Sequence, residues 1–111
     1  MFFEKFTKRY FMGIINSPSE SEAREILETI LRERLIAGGT ITKAKSIYKW
    51  KGNIEDEDYY SITVYTNSRN RRKIIDAVRK ISVEELPLVI FSRINSDRKI
   101  YEWIKKNTNP Y

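Results

Sequence analysis

The stretch from Lys43 to Thr66 opens on an arm, Lys43 to Lys51, in which lysines alternate with smaller or aromatic residues. Lys43, Lys45, Lys49 and Lys51 fall on one parity and Ala44, Ser46, Tyr48 and Trp50 on the other. This period of two predicts a strand, because successive strand side chains point to opposite faces. A turn is expected at Gly52 and Asn53. The second arm sets Tyr60, Ile62 and Val64 on one face and Tyr59, Ser61, Thr63 and Tyr65 on the other, so aromatic and β-branched residues occupy both. Loop length decides the register of this hairpin: a two-residue Gly52-Asn53 loop pairs Lys49 with Asp56, whereas a three-residue loop centred on Gly52 pairs Lys49 with Glu55 and Ala44 with Tyr60. The second register is the expected one. It keeps the lysines off the face that holds Tyr60, Ile62 and Val64, and a one-residue slip would exchange the faces.

Elsewhere the pattern changes with the element. Tyr10 to Asn16 is apolar on both parities and fits a central strand. Two overlapping Ser-x-x-Glu boxes, at Ser17 and Ser19, then predict a helix start ahead of an apolar stripe at Ala23, Ile26, Leu27, Ile30, Leu31 and Leu35, with Gly38-Gly39 as its stop. Asn67 or Ser68 is expected to cap a second helix carrying Ile74, Ile75, Val78 and Ile81. A last core strand is expected over residues 86–94 behind Pro87, followed by a helix from about Asp97 to Asn107, capped by Asn95 or Ser96 and burying Ile100, Trp103 and Ile104. Residues 1–9 read as an N-terminal extension, either frayed or forming a short strand.

The order β-α-β-β-α-β-α is that of an α+β, ferredoxin-like split β-α-β fold with an antiparallel sheet. Right-handed crossovers put both long helices on one face. The other face, with the Tyr59/Tyr65 side of the hairpin and half of the last strand, has nothing left to cover it in a monomer. Large contiguous apolar patches are rare on soluble monomers, so self-association is expected.

The 111 residues allow a single domain, residues 1–111, with one core. There is no cysteine and no histidine, which removes disulfides, thiol nucleophiles, imidazole bases and soft-metal ligands together. No nucleophile and base pair can be named, so a non-enzymatic role is expected. No apolar run approaches a membrane span, and Phe2-Phe3-Glu4-Lys5 lacks the apolar core of a signal peptide, so the cytoplasm is the default expectation, with no membrane partner expected. The net charge of +6 is compatible with an anionic partner.

Three clusters could carry chemistry. Glu55, Asp56, Glu57 and Asp58 could hold a hard cation, but alternation lets at most two converge, and cross-strand pairing with Lys43, Lys45 and Lys49 is the expected use. Arg69, Arg71, Arg72 and Lys73 fall in the first turn of the second helix, where cations oppose the helix dipole and outward N–H groups attract phosphate, making them an anion-binding candidate. Nucleic acid is the weaker reading of this patch, since no base-stacking motif accompanies it. Tyr48, Trp50, Tyr59, Tyr65 and Trp103 form an aromatic set that could line an intersubunit cleft, or simply pack.

The run Ser46-Ile47-Tyr48-Lys49-Trp50-Lys51-Gly52-Asn53-Ile54 resembles the signature hairpin of the CutA divalent-cation-tolerance family. The likeness extends to Glu33-Arg34-Leu35-Ile36-Ala37, Leu86-Pro87 and Tyr101-Glu102-Trp103-Ile104. It implies a homotrimer whose sheets face inward and whose hairpins reach across to neighbours. It also marks departures: CutA-like proteins usually have a cysteine at Gly38, His-Pro-Tyr at Ser82-Val83-Glu84, and a Glu and a Lys at Tyr59 and Tyr65. These positions have been considered the family's metal or ligand site, so the resemblance carries the scaffold and a link to divalent-cation tolerance but not copper binding, and no cofactor is expected. The alternative reading is a PII-like signalling trimer or a basic anion-binding module that uses Arg69 to Lys73.

Overall fold

The computed structural model describes residues 9–110; the extension expected at residues 1–9 lies almost wholly outside them. In chain order the elements are β1 (Tyr10–Ser17), α1 (Glu20–Arg32), β2 (Gly38–Trp50), β3 (Asn53–Asn67), α2 (Arg71–Ile81), β4 (Val89–Arg93) and α3 (Arg98–Asn107). The strands form one antiparallel sheet in the order β2-β3-β1-β4, as the split β-α-β pattern requires.

The hairpin register differs from the expected one. Trp50 faces Asn53, Lys49 faces Ile54 and Ala44 faces Tyr59, so the loop is the two residues Lys51 and Gly52. Both have positive φ, 50° and 84°, the conformation whose twist matches that of the flanking strands. The lysines therefore share a face with Tyr60, Ile62 and Val64. No desolvation follows, because the helices cover this face only as far as Ile41 and Tyr60, and beyond them Lys43 and Lys45 stand in water. There Lys45 pairs with Asp58 at 3.2 Å and Asp56 at 3.9 Å, and Lys43 with Asp58 at 3.9 Å.

Ser19 caps α1, accepting from the Glu22 N–H at 3.2 Å, with Glu20 and Glu22 at the positive end of the helix. The helix stops at Arg32, not at the glycine pair. Arg34 takes a left-handed φ of 60°, while the N–H groups of Leu35 and Arg34 close onto the Ile30 and Leu31 carbonyls at 2.9 and 3.0 Å, a Schellman ending with arginine where glycine is usual. Gly38 and Gly39 lie inside β2 and serve close packing. A Cβ on Gly39 would meet the Thr63 carbonyl at 2.7 Å and Leu27 of α1 at 2.8 Å, and one on Gly38 would meet the Trp103 ring at 3.2 Å from the opposite side.

Three other boundaries move for local reasons. Asn70, not Asn67 or Ser68, is the N-cap of α2, because the Asn67 side-chain oxygen accepts from the N–H groups of Arg69 and Asn70 and closes a turn before the helix. β4 spans five residues, with single bonds from Asn16 to Leu88 and from Ile94 to Tyr10 extending the ladder at its ends. Asp97 caps α3, accepting from the Ile100 N–H at 2.9 Å.

Ile15, Ile26, Ile30, Ile62, Val64, Ile74 and Val78 form the main core between the sheet and helices α1 and α2. Leu31 is turned out at 44% exposure. The other face is not bare, as the pattern of strands and two long helices suggested: α3 lies across one end of it, with Tyr101 stacked on Tyr10 at 4.9 Å and Trp103 beside Tyr65 at 6.2 Å. Of the three apolar residues expected to bury there, only Ile104 is enclosed; Ile100 and Trp103 remain 39% and 41% exposed.

Candidate functional site

Strand pairing determines which side chains share the open face. Met12 and Ile14 of β1 stand beside Tyr65 and Thr63 of β3, and Ile90 of β4 lies opposite Ile14. On the hairpin the same face continues through Thr42, Ala44, Ser46, Tyr48 and Trp50 of β2 and through Tyr59 of β3. Alternation alone puts these residues together, and α3 covers only the Tyr10/Tyr65 end. Ile90 is 53% exposed, and Leu86 and Leu88 are exposed just ahead of it.

The five aromatics singled out from the sequence do not gather at one point. Tyr48 and Tyr59 meet edge to face at 5.9 Å, Tyr65 and Trp103 form a second pair, and Trp50 stands near the hairpin tip with the Lys51 ammonium 5.5 Å from its ring. Tyr65 lies six residues along the strand from Tyr59, about 20 Å at the usual rise.

The Tyr48/Tyr59 end carries the only large electrostatic perturbation among the described residues. The Tyr59 hydroxyl donates to the Glu84 carboxylate, and the Tyr48 hydroxyl lies 3.3 Å from the Tyr59 hydroxyl and donates to the Glu57 carboxylate at 2.9 Å. Burial first, and then the bond to Glu84, push the Tyr59 phenol far above the usual tyrosine range, so it stays protonated and donates. The loop between α2 and β4 supplies Glu84. That loop is tied down where the Val83 N–H donates to the Glu22 carboxylate at 2.9 Å, which also accepts from the Ser17 hydroxyl, and where Lys51 of the hairpin turn pairs with Glu85 at 3.2 Å. Sequence reading did not find this contact, because Glu84 and Tyr59 are 25 residues apart and only the fold joins them.

The positions at which the CutA resemblance marks departures thus come together in two pairs. Tyr59 bonds Glu84, so a tyrosine on the strand and a glutamate in the loop stand where the resemblance leads one to expect a glutamate on the strand and a tyrosine in the loop. Gly38 pairs with Tyr65, and Trp103 fills the space above them. Neither pair offers a thiolate or imidazole, and among the described residues no three carboxylates stand close enough to hold a metal ion. This donor set does not fit copper.

The basic candidates do not converge. Arg69 precedes α2. The Arg71 guanidinium lies 4.1 Å over the Phe11 ring and donates to the Ser68 carbonyl, and Arg72 pairs with Asp76 at 3.4 Å. Lys73 borders a shallow groove of about 330 Å³ between α1 and α2, with Thr29, Glu33, Asp76 and Lys80. The carboxylate run divides as alternation requires, Asp56 and Asp58 toward the lysines and Glu57 toward Tyr48.

A family model described as CutA1 divalent ion tolerance protein matches residues 11–107. The divalent-cation tolerance protein CutA of Thermus thermophilus is 28% identical over 97 residues, which cover 86% of this chain and 94% of that protein. The solved structure of the Thermus thermophilus Cut A1 protein superposes with a TM-score of 0.87 at 26% identity, over 90% of this chain and 99% of that one. Protein CutA of Bos taurus is 27% identical over 97 residues, and the chain spans about half, 55%, of its length. The CutA structure from Archaeoglobus fulgidus, described as a periplasmic divalent cation tolerance protein, superposes with a TM-score of 0.85 at 25% identity, over 88% of this chain and 97% of that one. No helix of the described residues is long and apolar enough to cross a membrane. With its signature hairpin, its strand order and a family match running from β1 through α3, this chain belongs to the CutA1 divalent ion tolerance family.

Proposed function

We propose that the chain is a single CutA-like domain, residues 1–111, that assembles as a homotrimer in the cytoplasm. It acts there as a non-catalytic binding or interaction module in divalent-cation tolerance, without copper ligands. The observation that carries the reading is the partly covered sheet face. Met12, Ile14 and Ile90 share it, Leu86 and Leu88 continue it, and the β2–β3 hairpin bearing Tyr48 and Trp50 extends beyond the end of β1 at Ser17. A two-stranded ribbon with aromatic side chains is marginal alone, and a neighbouring subunit would supply its missing cover. Tyr48, Trp50 and Tyr59 of one subunit would then line a cleft against the next.

Light scattering coupled to size exclusion tests the assembly. The expected mass is close to three times 13.3 kDa, persisting at high salt because the contact is apolar. Ile90→Glu should reduce it to one third while circular dichroism stays native. A wild-type monomer at micromolar concentration would reject the reading. Calorimetry on untagged protein tests the metal statement: tight stoichiometric binding of copper would overturn it.

A further inference from the structure

Asn70 occupies the N-cap of α2, where an asparagine normally accepts a hydrogen bond from the first turn, yet its side chain makes no capping bond. Its Nδ2 donates instead to the Asn109 carbonyl at 3.1 Å, beside Nδ2 of Asn67 at 3.0 Å. The backbone N–H of Asn109 donates to the Arg34 carbonyl at 2.8 Å and its side chain to the Glu33 carbonyl at 2.9 Å. Thr108, 1% exposed, donates to the Ile104 carbonyl and accepts from Asn67. The tail after α3 is thereby bonded at once to the end of α1 and the start of α2, at the cost of the α2 cap.

What it restrains is a lightly seated helix. Ile104, its one fully buried side chain, lies outside the main core cluster, and α3 otherwise meets the sheet through two aromatic pairs, with Trp103 41% exposed, and the end of α1 through the Arg34 guanidinium, which donates to the Lys106 carbonyl at 3.0 Å. Helices with few buried apolar contacts open at low free energy. Under α3 lie Tyr10 and Tyr65, continuous through Met12 with the uncovered part of the face.

We propose that residues 108–110 form a clasp holding α3 as a cap that opens about residues 94–97, so that the clasp sets how much of the open face a second copy can reach. That consequence rests on the assembly reading above; the clasp itself does not. Its bonds join side-chain amides, the Thr108 hydroxyl and backbone groups.

Asn70→Asp tests it. The change keeps size and an oxygen able to cap, adds a charge that favours a helix start, and replaces the donor to Asn109 by an oxygen that repels its carbonyl. Amide hydrogen exchange in α3 should accelerate at least about tenfold relative to α1, and a chain ending at Asn107 should show the same or more. Unchanged α3 protection in both variants, or equal acceleration of α1 and α3, would overturn the clasp. A monomeric wild type would defeat the assembly reading and the consequence for a second copy, whereas the clasp is decided by the exchange ratio alone.

Discussion

The two faces of the sheet are covered on different terms. Under α1 and α2, fully buried isoleucines and valines interlock and the few buried polar side chains, Ser17, Glu22 and Thr66, are hydrogen-bonded, whereas α3 buries only Ile104, meets the sheet in two aromatic pairs that include the 41% exposed Trp103, and is tied down by side-chain amides. Gly38 and Gly39 show both sides at once, since neighbouring residues of one strand point to opposite faces. One glycine admits α1 and the other admits Trp103. Apolar contact that excludes water makes the first face the stability core, and its looser counterpart leaves the second available for other uses.

Truncation in the main core should have the largest effect. Ile62→Ala removes a fully buried side chain and should cost about 2–5 kcal/mol in urea unfolding; a loss as small as that of an exposed residue would mean the core sits elsewhere. Next come the glycines. Gly39→Ala places a methyl group 2.7 Å from a backbone carbonyl that cannot move aside and should cost about 1–3 kcal/mol, whereas Gly38→Ala meets a ring edge at 3.2 Å on a helix that can shift and should cost less than about 1 kcal/mol. Equal costs would remove the distinction between the faces. Trp103→Ala should cost about 1–2 kcal/mol, below the usual figure for a buried tryptophan because the ring is 41% exposed, and its exchange effects should stay within α3 and the Tyr65 end of β3.

The smallest effect is one of pH. Tyr59 has its pKa raised in the folded state from 10.0, so its contribution is fully present below about pH 10 and is lost as the pH climbs above that value, where the unfolded chain releases a proton that the folded one retains. Tyr59→Phe should flatten the fall in stability above pH 10. An unchanged alkaline slope would mean that neither the burial of the Tyr59 phenol nor its bond to Glu84 bears on folding.

Much of this arrangement was legible in the residues. Period-two and period-3.6 patterns located every described strand and helix and the main core, because burial on one face leaves its spacing in the chain. The hairpin register was not legible. It turned on whether Lys51 would take positive φ beside Gly52, and the rule that lysines avoid an apolar face misled because that face loses its helices halfway along the ribbon. The end of α1 was missed for a related reason: glycine signals a helix stop by its freedom at positive φ, but here Arg34 takes that conformation while the glycines answer to steric demands from α1 and α3.

The candidate sites divide in the same way. That Tyr59 and Tyr65 share a face of β3 follows from their spacing alone, but that Tyr48 joins them was decided by the hairpin register. That Tyr59 meets Glu84, that Arg71 lies over Phe11 instead of facing a ligand, and that Asn70 gives up its helix to hold Asn109 are contacts across 25, 60 and 39 residues. Local pattern determined the elements and which residues of one element share a face, because each depends on neighbours within a turn or a pleat. Only the tertiary structure decided the pairings between distant groups and the placement of α3, since each is settled by which surfaces remain uncovered once the sheet has closed on its two long helices.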